Sequence, residues 1–231
     1  MAFAYSVLVE AAVESLDAAL AAAEGGARRI ELCADLAHGG TTPDVRLLRA
    51  CRSQLAIPIF VLVRPRPGDF TYTPAEHRTM LEQIHRAKDA GARGIVTGAL
   101  TATQHIAEDR MAELLEAALP LPVTFHRAFD ACLDLAVELG RLIHLGVDRV
   151  LTSGGAPTAP EGAERIGRLV LQAGRRIEIL AGGGINGDNV ARLVHDTAVR
   201  EVHLSASDAE KVRRVVRSVT GTEGPYPDAG T

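Results

Sequence analysis

The chain has 231 residues, close to the roughly 250 of one (β/α)8 domain, and a formal net charge of −4, which gives no reason to expect nucleic-acid binding. No apolar run approaches the roughly 18 residues of a membrane span, and MAFAYSVLVE at the start lacks the basic and apolar regions of a signal peptide. Three sparse cysteines, Cys33, Cys51 and Cys132, suit free thiols in a reducing compartment, so a cytoplasmic location is the expectation.

Val7–Glu10 reads as the first strand, ending in a carboxylate, with Val13, Leu16, Leu20 and Ala23 as the apolar face of the helix after it. Arg29–Cys33 reads as the second. Side chains alternate along a strand, so Ile30 and Leu32 should face helices while Glu31 and Cys33 share the barrel interior near its mouth. The following loop carries Gly39-Gly40, which permits close approach to a ligand, and Thr42-Pro43, which reads as a helix start with Thr as N-cap and Pro at N1. Cys51 shares an apolar face with Leu47, Leu48 and Leu55 and reads as core. In the third strand, Ile57–Arg64, Phe60, Leu62 and Arg64 share a face, so Arg64 should top the same interior. Arg66 follows in Arg64-Pro65-Arg66-Pro67, as a second cation for an anion or as part of a rigid, solvated turn.

Gly94–Thr97 is the fourth strand and Val123–His126 the fifth. The fifth runs into Arg127-Ala128-Phe129-Asp130, where Asp130 should orient or shift His126, and Cys132 begins the next helix. Arg149–Thr152 is the sixth strand, with Gly154-Gly155 behind it. Ile177–Ala181 is the seventh and leads into Gly182-Gly183-Gly184; Glu201–Leu204 is the eighth, carrying His203, and is followed by Ser205-Ala206-Ser207. Loops after strands seven and eight are where TIM barrels commonly hold phosphate.

Eight alternations of apolar strand and amphipathic helix predict a single-domain TIM (β/α)8 barrel over residues 1–220, with a Gly/Pro-rich flexible tail over 221–231. An open doubly wound sheet is the other α/β reading, and it would need a dinucleotide or switch-point signature. A parallel barrel gathers its strand ends on one face. Glu10, Glu31, Arg64, His126 and Asp130 are therefore the candidate catalytic residues, and Arg66, Gly182, Gly183, Gly184 and Ser205 the candidate anion-binding ones. For Glu10 and Arg64 the alternative is a structural ion-pair layer inside the barrel. Both lysines, Lys88 and Lys211, fall on helices, which argues against a strand-end Schiff base. No nucleophile elbow and no GxGxxG after the first strand are present. Isomerase- or lyase-type proton transfer on a small phosphorylated or carboxylated metabolite is the natural enzymatic reading.

Glu31-Leu32-Cys33-Ala34, Gly39-Gly40-Thr41-Thr42-Pro43, Arg64–Phe70 (RPRPGDF), Gly98-Ala99-Leu100-Thr101, Pro122–Asp130 (PVTFHRAFD), Arg149–Gly155 (RVLTSGG) and Ala181–Ile185 (AGGGI) occur in this order. Together they closely resemble the CutC family, named for copper homeostasis, from about Val9 to Ser205. The resemblance implies a cytoplasmic, homo-oligomeric TIM barrel that binds copper ion through Cys33, with Cys51 a loose candidate for a second thiol. The chain departs from the family's Arg-Gly-Gly-Asp at Arg66-Pro67-Gly68-Asp69, and the segment after Ser205 is short.

Overall fold

The computed structural model describes residues 6–206 and 208–220. Eight strands, β1 (Leu8–Val13), β2 (Arg29–Leu32), β3 (Ile59–Leu62), β4 (Gly94–Thr97), β5 (Val123–Phe125), β6 (Arg149–Thr152), β7 (Glu178–Gly182) and β8 (Glu201–Ser205), pair in parallel in chain order. β8 pairs with β1 and closes the barrel. Eight helices form the outer ring: α1 (Leu16–Glu24), α2 (Val45–Gln54), α3 (Pro74–Asp89), α4 (Glu108–Ala118), α5 (Leu135–Leu145), α6 (Ala163–Ala173), α7 (Val190–Thr197) and α8 (Ala209–Val219). Among the described residues no helix is long and apolar enough to cross a membrane.

Strand alternation builds two separate interiors. Outward-facing Ile30, Leu32, Ile59, Val61 and Ile95 pack with the helices in the main core. Each such side chain contributes roughly 1.5–3 kcal/mol when fully buried. Inward-facing Ala12, Cys33, Phe60, Leu62 and Val96 form a smaller cluster inside the barrel. Cys51 is fully buried in the outer core, as its spacing implies. Gly146 ends α5 at φ 77°, a left-handed cap that lets the chain turn at once into β6.

Charge fills the rest of the interior. From the N-terminal end, Arg149 donates to Glu201 at 2.6 Å, and Arg29 donates to both Glu201 and Glu10. His203 meets Glu10 at 2.8 Å and Glu31 at 3.4 Å. Both guanidinium groups lie over the Phe60 ring, Arg29 at 5.0 Å and Arg149 at 5.3 Å from its centre. Signs therefore alternate up the barrel, and each charge in this stack has an opposite neighbour, as burial requires.

Several local expectations need correction. Glu10 does not end its strand; β1 continues to Val13, which belongs to the strand and not to the helix after it. Glu10 pairs in register with Arg29 and His203, so it sits in the ion-pair layer below the mouth. Thr42 does not cap α2. Asp44 does, accepting from the Arg46 N–H at 2.7 Å, while the Thr42 hydroxyl accepts from the Arg64 N–H. Cys132 closes a 3-10 turn over Arg127–Ala131, and α5 starts at Leu135 on an Asp134 cap. Ser207 and the tail at 221–231 lie outside the described residues.

Candidate active site

The strand C-terminal ends surround a cavity of about 340 Å3. Glu31 and His203 reach it from within the barrel; Gly183, Gly184 and Ser205 border it after β7 and β8. Phe70, Leu36 and Leu62 give it an apolar wall.

Glu31 and His203 hold its floor. Burial, with the Glu10 carboxylate adding to it, pushes the Glu31 carboxyl up to about 7 against the opposing pull of His203 and Arg29. For Glu10 burial acts in the same direction, but Arg29 and His203 outweigh it and hold that carboxyl down at about 2. Burial disfavours a charged His203, yet Glu10 and Glu31 raise its affinity for a proton. Near neutral pH, therefore, Glu10 is a fixed anion, while Glu31 can take up or release a proton beside the His203 ring 3.4 Å away. That pair is what a general acid–base needs.

His126 lies at the wall. Its Nδ1 accepts from the Ala128 N–H at 3.3 Å, which leaves the ring proton on Nε2. Nε2 is buried and has no partner in the protein. Burial first, and then the Arg64 charge, hold the imidazole down at about 3, so it is neutral at physiological pH. Phe70 and Phe125 flank the ring at 5.0 and 5.9 Å. Gly98 makes room on a further side, since a Cβ there would lie 2.7 Å from the imidazole.

Asp130 does not orient His126. Its carboxylate accepts from the Thr152 hydroxyl, from the Ser153 N–H at 3.0 Å and the Gly155 N–H at 2.9 Å, and from Arg127 Nε at 2.9 Å. It ties the loop after β6 to the turn after β5, and its richest partners are backbone amides that only the folded loop supplies. Arg64 lines the cavity, but its Nη1 donates to the carbonyls of Gly39 (3.0 Å) and Gly40 (2.8 Å) and its Nη2 to that of Gly68 (2.7 Å). It is a clamp between two loops, stacked 5.0 Å over Phe70, with its Nε buried and unpartnered. Arg66 faces Glu76 at 2.5 Å and Asp69 at 2.9 Å and does not border the cavity. Gly182 is inside the barrel against Leu151 and His203, one position below the cavity lining.

Two cations not singled out from the sequence stand at the rim. Arg127 donates to Asp130 and, at 2.7 Å, to the Ser153 hydroxyl, and its Nη1 lies where a Cβ on Gly183 would approach to 3.2 Å. Gly183 and Gly184 have φ of 106° and 70°, the left-handed region that glycine occupies without strain. Lys211, from the first turn of α8, leans over the opening with its Nζ 2.6 Å from the Ser205 carbonyl.

The family model described as the CutC family matches residues 7–208. The chain belongs to the CutC family. The family protein CutC of Pasteurella multocida is 46% identical over 197 residues, covering 85% of this chain and 81% of that protein. The human copper homeostasis protein cutC homolog is 45% identical over 199 residues, covering 86% of this chain and 73% of that protein. Among solved structures, the CutC protein of Streptococcus agalactiae superposes with a TM-score of 0.82 at 34% identity, covering 85% of this chain and 97% of that one. Thiamine phosphate pyrophosphorylase of Pyrococcus furiosus, at 18% identity and a TM-score of 0.62, shares the fold alone.

In this CutC-family barrel the Cys33 thiol is 1% exposed. Burial first, then the carboxylates of Glu31 and Glu10, push it well above its ordinary value, so the thiolate that copper needs is disfavoured. Among the described residues, the one grouping of three close donors is Glu10, Glu31 and His203. That set is oxygen-rich, excludes Cys33 and already carries Arg29 on Glu10. Soft Cu(I) prefers thiolate, thioether and imidazole, so these residues do not fit it.

Proposed function

We propose that the chain is an enzyme that moves a proton on a small phosphorylated or carboxylated metabolite. The observation that carries this reading is the Glu31–His203 pair, 3.4 Å apart at the floor of an open cavity, with Glu31 raised to about 7. Matching a carboxyl to neutral pH costs stability and serves proton transfer. Arg127, Lys211 and the amides around Gly183–Gly184 supply the attraction for an anionic group, and Arg64 keeps the two flanking loops in place. Cytoplasmic residence and self-association belong to the same proposal; light scattering on the purified chain tests the second.

The test is calorimetric titration with inorganic phosphate and with 2-phosphoglycolate. Both should bind the wild-type chain, and Arg127→Gln should weaken them at least tenfold. If neither binds wild type, or the variant binds as wild type does, this reading fails.

A copper-handling role is suggested by the printed name of the human relative and by the thiol at the mouth. The burial of Cys33 and the hardness of the neighbouring donors argue against it. Anaerobic Cu(I) titration against a competing chelator should give the same weak binding in wild type and Cys33→Ser. A tight one-to-one complex lost in Cys33→Ser would establish the copper role instead.

A further inference from the structure

One group in the cavity has no task in the chemistry so far: the His126 imidazole, whose Nε2–H is buried, unpartnered and at the cavity wall. Its direction is set by the Ala128 amide on Nδ1, and its ring is held by Phe70, Phe125 and the bare Gly98. A buried donor without an acceptor is an unfavourable arrangement that a bound ligand relieves. Because the Nε2–H donates a hydrogen bond without carrying a full charge, the acceptor that gains most from it is an oxygen that gains charge during reaction. The anionic end of the ligand has its own groups in Arg127, Lys211 and the glycines after β7, which line the same cavity.

Resting on the proton-transfer reading above, we infer that the substrate is an aldehyde or ketone carrying a phosphate or carboxylate, whose carbonyl oxygen accepts from His126 Nε2–H while Glu31 removes the proton on the adjacent carbon. The step balances without a co-reactant. The C–H bond breaks, and its proton goes to the Glu31 carboxylate. The electron pair becomes a C=C bond, and the carbonyl π pair moves to oxygen as an enolate. His126 donates a hydrogen bond to that oxygen and keeps its proton. Glu31 then returns the proton to the carbon it came from, and the enolate collapses back to the carbonyl. A neutral imidazole facing a carboxylate base is an arrangement suited to enolisation.

The probe is 2-phosphoglycolohydroxamate, whose planar hydroxamate imitates an enediolate, compared with inorganic phosphate by calorimetry. Wild type should bind the hydroxamate at least tenfold more tightly than phosphate. His126→Phe, which keeps an aromatic ring against Phe70, should erase most of that difference while phosphate affinity holds. In the intact wild-type chain, 15N-histidine NMR should show the Nε2–H tautomer of His126 and a downfield shift of that proton on hydroxamate saturation. This second measurement decides the matter if His126→Phe fails to fold. Phosphate binding with no hydroxamate advantage, or an Nε2–H resonance unmoved at saturation, overturns this inference and leaves the anion-binding reading in place. Absence of phosphate binding overturns both.

Discussion

His126 shows how much one side chain costs a fold that holds it neutral. The unfolded chain takes up the proton near the ordinary histidine value of 6.5, the folded chain only near 3. Between those values the unfolded state binds more protons, so stability is complete above about 6.5 and falls as pH drops towards 3. One proton sets the limit at ~1.4 kcal/mol per pH unit. Urea denaturation at pH 7 and pH 5 should therefore show a smaller acid loss in His126→Phe than in wild type, and identical losses would mean the ring is charged or exposed in the native state. That neutrality is not legible in the run Phe125-His126-Arg127-Ala128-Phe129-Asp130. There the nearest carboxylate in sequence reads as the partner, whereas in space Asp130 is taken by Arg127 and by the amides of Ser153 and Gly155.

At the scale of elements, helix ends and loop ties carry the precision. The Thr73 hydroxyl accepts from the Glu76 N–H, and the Glu76 carboxylate accepts from the Thr73 N–H, with Pro74 opening the helix. Thr73→Ala should cost about 1 kcal/mol, read as a drop in Tm of about 2–4 °C. An unchanged Tm would show that the box forms without contributing. Arg64 acts between elements: its planar fork binds carbonyls of both the loop after β2 and the loop after β3. In Arg64→Lys a point charge replaces the fork, and amide exchange at Gly39 and Gly40 should speed up at least tenfold relative to wild type. Equal protection would refute the clamp. Strand alternation is enough to place Arg64 at the mouth and Glu31 and Cys33 inside. It says nothing about what Arg64 binds, because the acceptors are backbone carbonyls of loops whose paths depend on the whole barrel. Lys211 is hidden for a related reason: spacing gives its position on a helix, not the strand end over which that helix begins.

For the whole molecule, the alternating charges inside the barrel set the stability. Glu201 is the shared acceptor of Arg29 and Arg149. Glu201→Gln would remove the carboxylate that these two mostly buried guanidinium groups share, at a cost of about 3–5 kcal/mol. A loss below about 1 kcal/mol in urea denaturation would mean water reaches this layer. The eightfold repeat is readable because parallel strands are apolar on both faces and helices keep their own period. The depth of Glu10 is not readable, because it depends on the register with which the last strand meets the first. Glu10 and His203 are 193 positions apart, yet their contact is the lower half of the proton pair's support. A ribosome releases Glu10 long before His203, so the site has no partial version. Until β8 slots in beside β1, Glu31 lacks its proton partner and Glu10 keeps only its arginine. Any chain cut short before that strand lacks the Glu10–His203–Glu31 cluster, which comes into being at the moment the ring shuts.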